Sequence, residues 1–395
     1  MPDHIMNTYG RLPVSFVKGE ACYLFDEQGE RYLDALTGIA VCGLGHSHPA
    51  VAQAIAEQAK TLMHTSNLYG IPKQEELADK LCELSAMERV FFSNSGAEAN
   101  EAAIKIARRF GHSKNIDLPT IIVANQSFHG RTLSTLSATG NPKVQAGFEP
   151  LVRGFIHVAY NDMDAIKQAT ENNDNIVAIM VEPVQGEGGL RIPDSTYLPA
   201  IRQFCDKHDL LMILDEIQTG VCRTGKWFAG QHSAIVPDVM TLAKGLGNGF
   251  PIGACLAKGK AAEMLVPGTH GSTFGGSPLA CAAALATVTT MQAQQLDKRA
   301  AELGDYFLQG FKASLADLIA QGAVTDIRGK GLMIGVELNQ PCTELVKQAL
   351  DKKLLINVTA DSVIRLLPAL ISSNEQADEI IAIVSDLIKA FIASK

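Results

Sequence analysis

The sequence lacks the closely spaced cysteines of a metal or redox site. Its eight cysteines are scattered, and no two form a Cys-x-x-Cys pair, so neither a zinc knuckle nor a redox dithiol is predicted. Apolar runs such as 176–181 and 210–214 are too short to span a bilayer and are typical of buried strands. Residues 1–4 lack the basic patch and apolar run of a signal peptide. We therefore expect a cytoplasmic protein with reduced thiols and no membrane partner.

The sequence also contains few charged residues. Charged residues make up 19%, the formal net charge is -8, and no block of like charges occurs, so no nucleic-acid partner is expected. His46 and His48 lack obvious acidic or thiol partners, so no metal site is expected either. Hydrophobic residues reach 47% of a chain of 395 residues. That composition suits a large packed interior, and the length favours two domains.

The pattern of apolar runs divides the chain into two parts. Residues 48–276 alternate helical segments with short apolar runs, which predicts an α/β domain with a largely parallel sheet. Its strands are expected at 90–92, 121–124, 177–181, 210–214, 239–242 and 252–257. An α+β pattern follows, with strands near 331–337 and 363–367 and a last helix that opens with a capping box from Ser373 to Gln376. We predict a large domain of residues 47–285 and a smaller α+β domain built from 1–46 and 286–395.

Two glycine-rich segments are similar to nucleotide-binding loops but fail in detail. Residues 220–226 copy most of a P-loop, yet Trp227 stands where a Ser or Thr hydroxyl is needed for magnesium. Residues 43–48 lack the third glycine of a dinucleotide loop and follow no good strand. Nucleotide hydrolysis and dinucleotide binding are therefore not predicted.

A phosphate-binding turn is predicted after the first strand of the large domain. Ser95, Gly96 and Ala97 lead into a helix that is expected to run to Arg109, with Gly111 as its cap. The free N–H groups and the positive dipole end of such a helix attract phosphate. The alternative is an ordinary N-cap at a strand–helix junction.

Two further strand ends carry residues suited to a bound heterocycle. Asp215 ends an apolar run; it either holds a loop by hydrogen bonds or faces a ring nitrogen and keeps it protonated. Gln218 could then reach a ring oxygen. Lys244 follows another strand and precedes three glycines that let the backbone pass close to a ligand. It is either a surface lysine or, if partly desolvated, an amine that can form a Schiff base.

The remaining candidates are residues whose side chains suit a contact to a cofactor or substrate. Phe128 could stack on a planar ring, although a lone Phe more often packs in a core. Arg131 could clamp a substrate carboxylate. Glu182 and Arg365 stand at strand ends, where charged residues are commonly structural. The hydroxyls of residues 272–273 lie in a glycine-rich loop that is either a second phosphate contact or a turn.

Together these motifs resemble the class III aminotransferases of fold type I, and within them the acetylornithine aminotransferases. The resemblance covers nearly the whole chain, through segments 7–13, 32–34, 38–41, 95–99, 128–131, 182–189, 215–220, 244 and 272–276. It departs from the usual pattern at Ala21, where glycine is common, and at Ser277, where asparagine is common. The resemblance implies pyridoxal 5'-phosphate as cofactor and a mostly parallel α/β/α domain beside a smaller α+β domain.

The resemblance also implies residue roles. Lys244 would hold the cofactor as a Schiff base, Asp215 would pair with its pyridine nitrogen, and Phe128 would stack on its ring. The other implied cofactor-binding residues are Ser95, Gly96, Ala97, Glu216, Ile217 and Gln218. Thr273 would reach the phosphate of the other subunit's cofactor, which implies a homodimer with shared active sites.

The substrates implied are N2-acetyl-L-ornithine and 2-oxoglutarate, giving N-acetylglutamate 5-semialdehyde and glutamate in arginine biosynthesis. Arg131 and Ser272 match positions that contact acetylornithine. Arg365 resembles the arginine that binds the α-carboxylate of glutamate, and Glu182 the acidic residue that pairs with it. The alternatives are succinylornithine, ornithine or N-succinyl-diaminopimelate as donor, an aminomutase on the same fold, and a non-catalytic dimer.

Overall fold

A computed structural model of the chain describes residues 4–171 and 173–394. The start of the chain, on which the expectation of no signal peptide rests, lies mostly outside the described residues. The strands are β1 Phe16–Glu20, β2 Tyr23–Asp26, β3 Arg31–Asp34, β4 Arg89–Ser93, β5 Thr120–Ala124, β6 Phe155–Val158, β7 Ile176–Val181, β8 Leu211–Asp215, β9 Val239–Leu242, β10 Gly253–Ala257, β11 Val324–Lys330, β12 Met333–Leu338, β13 Leu354–Leu355, β14 Asn357–Thr359 and β15 Val363–Leu366.

The helices alternate with these strands through the middle of the chain. They are α1 Thr37–Ala40, α2 Pro49–Thr61, α3 Pro72–Ser85, α4 Gly96–Ser113, α5 Leu133–Ala138, α6 Pro142–Gln145, α7 Met163–Thr170, α8 Tyr197–His208, α9 Pro278–Ala293, α10 Leu296–Ser314, α11 Ala316–Ala320, α12 Leu345–Asp351 and α13 Asn374–Ala393. In the described part of the chain, none of the helices is long and apolar enough to cross a membrane.

A seven-stranded sheet forms the centre of the molecule, in the order β4-β10-β9-β8-β7-β5-β6. Its strands run parallel except β10, which is antiparallel to both of its neighbours. Every residue of β5, β7 and β8 is buried because helices cover both faces, and these strands accordingly have continuous apolar sequences. The predicted mostly parallel α/β fold is confirmed.

Two four-stranded sheets lie outside the central sheet, and one of them combines strands from both ends of the chain. One has the order β1-β2-β3-β13 and the other the order β11-β12-β15-β14. The parallel pairing of β13 with β3 brings Leu354 beside Leu33 and so joins the two chain ends. The domain limits 47–285, 1–46 and 286–395 stay a prediction; the limit at 285 falls inside α9.

The local predictions hold in part. The capping box of α13 is confirmed: the side chain of Ser373 accepts from the N–H of Gln376, and the Gln376 side chain accepts in return. The prediction that Gly111 caps α4 is wrong, since α4 continues to Ser113 and Lys114 follows it. Gly111 is needed for packing instead, because a Cβ there would lie 2.6 Å from Pro119. Strands β6, β11, β13 and β14 were not predicted.

The short helix α1 is unusual because its backbone is left-handed. Thr37, Gly38, Ile39 and Ala40 have φ values of 50°, 64°, 65° and 63°. A left-handed conformation costs about 1–2 kcal/mol for each residue other than glycine. Such a turn persists only where its surroundings hold it in place. Val41, directly after it, faces the cavity described next.

Candidate active site

The main cavity lies at the carboxyl end of the central sheet, where α/β proteins place their cofactor sites. Its volume is about 410 Å³. The segments that follow β4, β5, β7, β8 and β9 all contribute to its wall. The predicted site residues among its lining are Ser95, Gly96, Ala97, Phe128, Arg131, Glu182, Asp215, Ile217, Gln218 and Lys244.

The turn into α4 has the form of a phosphate cradle. Ser95 caps the helix, with its side chain accepting from the N–H of Glu98 at 3.2 Å. A Cβ on Gly96 would lie 2.9 Å from the side chain of Ile217, so only glycine leaves room here. The turn faces the cavity at the positive end of an 18-residue helix, which is an arrangement that binds phosphate.

Asp215 is buried at the end of β8 and is held by two side chains. Its Oδ2 accepts from Asn100 Nδ2 at 2.7 Å and lies 2.8 Å from His129 Nδ1. Its Oδ1 accepts only the Ile217 N–H, at 3.1 Å, among the described residues. One oxygen therefore keeps acceptor capacity for a protonated ring nitrogen, which fits a pyridine cofactor.

Asn100 and His129 were not assigned roles from the sequence. The Asn100 amide bridges Asp215, the backbone oxygen of His129 and the hydroxyl of Thr241, with distances of 2.7 to 2.8 Å. Burial lowers the pKa of His129, but the hydrogen bond and charge of Asp215 and the charge of Glu182 outweigh it and raise the pKa overall. One feature of the sequence indicates this role for Asn100: it lies on α4, one turn after Gly96.

Lys244 follows β9 and lines the cavity with a backbone φ of 40°. Burial lowers the pKa of its amine, and the positive charge of Arg365 adds to this effect. The carboxylates of Glu187, Asp215 and Glu182 oppose it without cancelling it. A lowered pKa increases the neutral fraction of the amine, which is the form that attacks a carbonyl.

Arg365 pairs with a different acid from the one predicted. Its Nη1 lies 2.7 Å from Glu187 Oε1, and its Nη2 donates to Asn357 Oδ1 at 2.8 Å. Burial raises the pKa of Glu187, but the charge and hydrogen bond of Arg365 lower it by a larger amount, so the pKa is lowered overall. The prediction that Glu182 is the partner is wrong. Glu182 instead accepts from the Phe128 N–H at 2.9 Å.

Burial raises the pKa of Glu182 to about 7. The negative charge of Asp215 raises it as well, while the positive charge of His129 and the N–H groups of Phe128 and Gly186 act in the opposite direction. Glu182 faces the cavity, so its carboxyl group changes charge near neutral pH inside the site.

Gln218 and Glu216 have different surroundings although they are close in sequence. Gln218 Oε1 is buried and has no hydrogen-bond partner within residues 4–171 and 173–394, and its side chain faces the cavity. That fits a contact to a bound ring. The Glu216 carboxylate accepts from Thr219 and from the N–H groups of Ala229 and Gly230, so it stabilises a loop. Glu216 is not among the cavity-lining residues.

Ser272 and Thr273 lie outside the main cavity. They line a second groove of about 570 Å³ together with Glu98, Lys105 and His270. Ser272 Oγ is 3.2 Å from Asn94 Nδ2 and accepts from the Gly275 N–H at 3.0 Å. Neither residue completes the cavity of its own chain.

The segment that is similar to a P-loop has a structural role. Arg223 is buried and donates from Nη1 to the backbone oxygens of Leu332 and Pro368, at 3.2 Å and 2.6 Å. Among the described residues, no group of three or more His, Cys, Asp or Glu side chains is placed to hold a metal ion.

Comparison with known proteins identifies the family. Residues 5–388 match the family model of the class-III aminotransferases, and the chain belongs to this family. It is 56% identical over 392 residues to the acetylornithine aminotransferase of Nitrosomonas europaea, covering 99% of both chains. It is 50% identical to acetylornithine aminotransferase 1 of Bordetella bronchiseptica, over the full length of both.

Solved structures of aminotransferases have the same fold as this chain. The ornithine aminotransferase of Toxoplasma gondii superposes with a TM-score of 0.95 at 33% identity, over 99% of this chain and 94% of that one. The acetylornithine aminotransferase of Elizabethkingia anophelis gives a TM-score of 0.85 at 34% identity, over 98% and 96% of the two chains. The predicted class, a transaminase that depends on pyridoxal 5'-phosphate, is confirmed.

Proposed function

We propose that this chain transfers the δ-amino group of N2-acetyl-L-ornithine to 2-oxoglutarate, giving N-acetylglutamate 5-semialdehyde and glutamate in arginine biosynthesis. The relatives named acetylornithine aminotransferase, at 45–56% identity over nearly the whole chain, support this substrate pair. The single observation that carries the proposal is the Glu187–Arg365 pair beside the cavity.

The two substrates make different demands on that arginine. Acetylornithine reacts at an amine far from its carboxylate, whereas glutamate reacts at a carbon that bears a carboxylate directly. An arginine near the reacting carbon must therefore be masked for the first substrate and available for the second. Glu187 provides a mask: its side chain is 37% exposed and can move away, whereas that of Arg365 is 1% exposed and fixed. A bidentate carboxylate contact then becomes available to Arg365.

Other residues of the chain are assigned to cofactor binding and proton transfer. Pyridoxal phosphate, when bound, supplies an electron sink for the carbon that loses its proton. Lys244 Nζ would hold the cofactor and, once released from it, would move the proton of the substrate carbon. The Asp215 carboxylate would keep the ring nitrogen protonated. Ser95, Gly96 and Ala97 would hold the phosphate, and Phe128 would stack on the ring.

We further propose that the active unit is a homodimer in which Thr273 reaches the partner's site. The second groove that contains Thr273 is bordered by the exposed aromatic ring of Phe274. The neighbouring segment bears Leu68 and Tyr69, exposed by 87% and 69%, and the Asn67 amide binds the backbone of residues 272 and 275. Exposed apolar side chains of this size are typical of interfaces.

A cytoplasmic location is part of the same proposal. All eight cysteines are unpaired, as expected in a reducing compartment. The substrates are small molecules, and the proposal includes no nucleic acid and no membrane partner.

The test is steady-state kcat/KM for acetylornithine, succinylornithine, ornithine and succinyl-diaminopimelate, each with saturating 2-oxoglutarate. We expect acetylornithine to give the highest value by at least tenfold. Ornithine is the second candidate, because the fold superposes closely on an ornithine aminotransferase. A higher kcat/KM for ornithine would replace the proposed donor but leave the transaminase class intact. Turnover without 2-oxoglutarate would indicate an aminomutase.

A further inference from the structure

The left-handed turn α1 lies where three segments of the active site meet. Ala40 packs in one apolar cluster with Val184, three residues before Glu187. Val363, which begins the Arg365 strand, and Leu367, which follows that strand, belong to the same cluster. Its backbone oxygen is 3.7 Å from the position of a Cβ on Gly245, the residue after Lys244. A shift of this turn would therefore move the segments that carry Glu187, Arg365 and Lys244.

Asp34 holds the start of the turn. Its Oδ1 accepts the N–H groups of Leu36 and Thr37, both at 2.8 Å. Its Oδ2 lies 2.8 Å from His46 Nε2. Asp34 is 2% exposed, so these contacts replace the water that a buried carboxylate would otherwise need.

His46 is the cationic partner of Asp34, and hydrogen bonds hold its backbone in place. Its backbone forms a two-way bridge with Ala21, at 2.7 Å and 3.1 Å. Burial lowers the pKa of His46, but the hydrogen bond and the charge of Asp34, together with the contact to Cys42, raise the pKa to about 9. Asp34 and Cys42 are the titratable groups that face the imidazole. The imidazole is therefore charged at neutral pH.

Four further hydrogen bonds tie this segment to the site. The Thr37 hydroxyl donates to the Leu367 oxygen at 2.7 Å, and the Leu367 N–H donates to the Ala35 oxygen at 2.7 Å. These bonds brace the chain two residues beyond Arg365. Asn248, in the loop after Lys244, accepts from the Leu44 N–H at 2.8 Å and donates to the Gly45 oxygen at 3.1 Å.

We propose that Asp34 and His46 are a positioning pair that holds α1 against the Arg365 strand and thereby sets the affinity for the dicarboxylate substrate. Neither residue is among those lining the cavity, so the pair acts through the turn. The proposal rests on the proposed function only in assigning Arg365 to a substrate carboxylate. It does not depend on which amine is the donor.

The test measures binding of glutarate, an unreactive five-carbon diacid, to the holoenzyme by calorimetry. His46→Phe removes the cation and the donor, whereas His46→Gln keeps a neutral donor. We expect the glutarate Kd to rise about tenfold or more in His46→Phe and less than threefold in His46→Gln at pH 7.5. kcat in the assay with the best donor should stay within about threefold, because Lys244 and Asp215 are untouched.

The matched control is the Arg202–Asp238 pair, which is remote from the cavity. There too the carboxylate accepts a backbone N–H, from Met212 at 2.7 Å, as well as a cation at 2.8 Å. Arg202→Gln should lower the unfolding temperature without changing the glutarate Kd. An equal rise in Kd in Arg202→Gln would overturn the proposal, because it would show a general loss of stability.

The pH dependence provides a test that needs no apolar variant. In the wild type the glutarate Kd should rise as the pH passes about 9 and His46 loses its proton. His46→Gln should lack this part of the rise. Identical pH profiles for the two proteins, or an unchanged Kd in folded His46→Phe, would overturn the proposal. Failure of acetylornithine as donor would alter only the proposed function.

Discussion

The Arg365 guanidinium is paired with the Glu187 carboxylate, with 2.7 Å between Nη1 and Oε1. The two residues come from different sheets: Glu187 follows β7 of the central sheet, and Arg365 lies on β15. The pair thus joins the large α/β layer to the smaller one at the edge of the cavity. If Arg365 binds the substrate carboxylate as proposed, this ion pair would link substrate choice to the relative position of the two layers.

Replacing Glu187 should shift preference between the two half-reactions. Glu187→Gln keeps the size of the side chain but removes the charge that masks Arg365. We expect kcat/KM for glutamate to rise about tenfold relative to that for acetylornithine. Single-turnover absorbance changes for each amine measure this ratio. Glu182→Gln is the control, because Glu182 does not contact Arg365; a shift of equal size there would contradict the masking role.

Lys244→Ala should abolish turnover and the visible absorbance of covalently bound cofactor. The reason is that no other lysine is among the residues that line the cavity. Lys244→Arg is a second variant that keeps the positive charge but cannot form the covalent bond. Both proteins should keep the circular dichroism of the wild type. Measurable steady-state activity in Lys244→Ala would refute the role of this residue.

The Asn100 amide should be needed for tight cofactor binding. Asn100→Ala removes one of the two side-chain partners of Asp215 Oδ2. A hydrogen bond to a charged group is worth about 1.5–3 kcal/mol, so the cofactor Kd should rise about tenfold or more. Thr241→Val removes only the donor to Asn100 and should have a smaller effect. Fluorescence titration of apoenzyme with cofactor gives both values, and an unchanged Kd in Asn100→Ala would contradict this assignment.

The sequence was most informative where a single strand end decides the position of a residue. Asp215 ends one fully buried strand and Lys244 follows another, and parallel strands bring their carboxyl ends to one edge of the sheet. Contacts between distant segments were harder to predict. The Glu182–Gly189 motif has two acids, and only the packing of β15 against it shows that Glu187 reaches Arg365. Likewise, the buried partners of Asp215 depend on how α4 crosses the sheet.

The elements that were missed have weak local patterns. Strands β13 and β14 have two and three residues and exist because neighbouring strands pair with them. The left-handed turn α1 contains one glycine, so composition alone gives no sign that Thr37, Ile39 and Ala40 share its backbone conformation. Its cause is the surrounding set of contacts, above all those of Asp34.

Glu182 should make stability depend on pH. Its folded pKa of about 7 lies above the ordinary value of 4.5, because the buried site disfavours the charged form. Its favourable contribution is therefore complete below pH 4.5 and is lost as the pH rises towards and through about 7. Relative to Glu182→Gln, the free energy of unfolding of the wild type should fall by about 1–3 kcal/mol across this window. Urea unfolding at a series of pH values measures this difference. Parallel curves for the two proteins would contradict the raised pKa.

Shared active sites can be tested by mixing two defective chains. Lys244→Ala removes the lysine, and Thr273→Trp should block the site of the partner chain; each homodimer should then be inactive. If Thr273 completes the other subunit's site, a mixed dimer contains one site with both defects and one with neither. Random reassortment at equal amounts should restore about a quarter of wild-type activity, because half of the dimers are mixed and each has one intact site.

The control for this experiment pairs the two substitutions in one chain. A double variant mixed with wild-type chains gives heterodimers in which each site carries one defect, so activity should come only from wild-type homodimers. If Thr273 instead served its own chain, these heterodimers would keep one intact site, and the first mixture would show no recovery. The two mixtures therefore predict opposite results for shared and separate sites, and sedimentation of each mixture checks that dimers have exchanged.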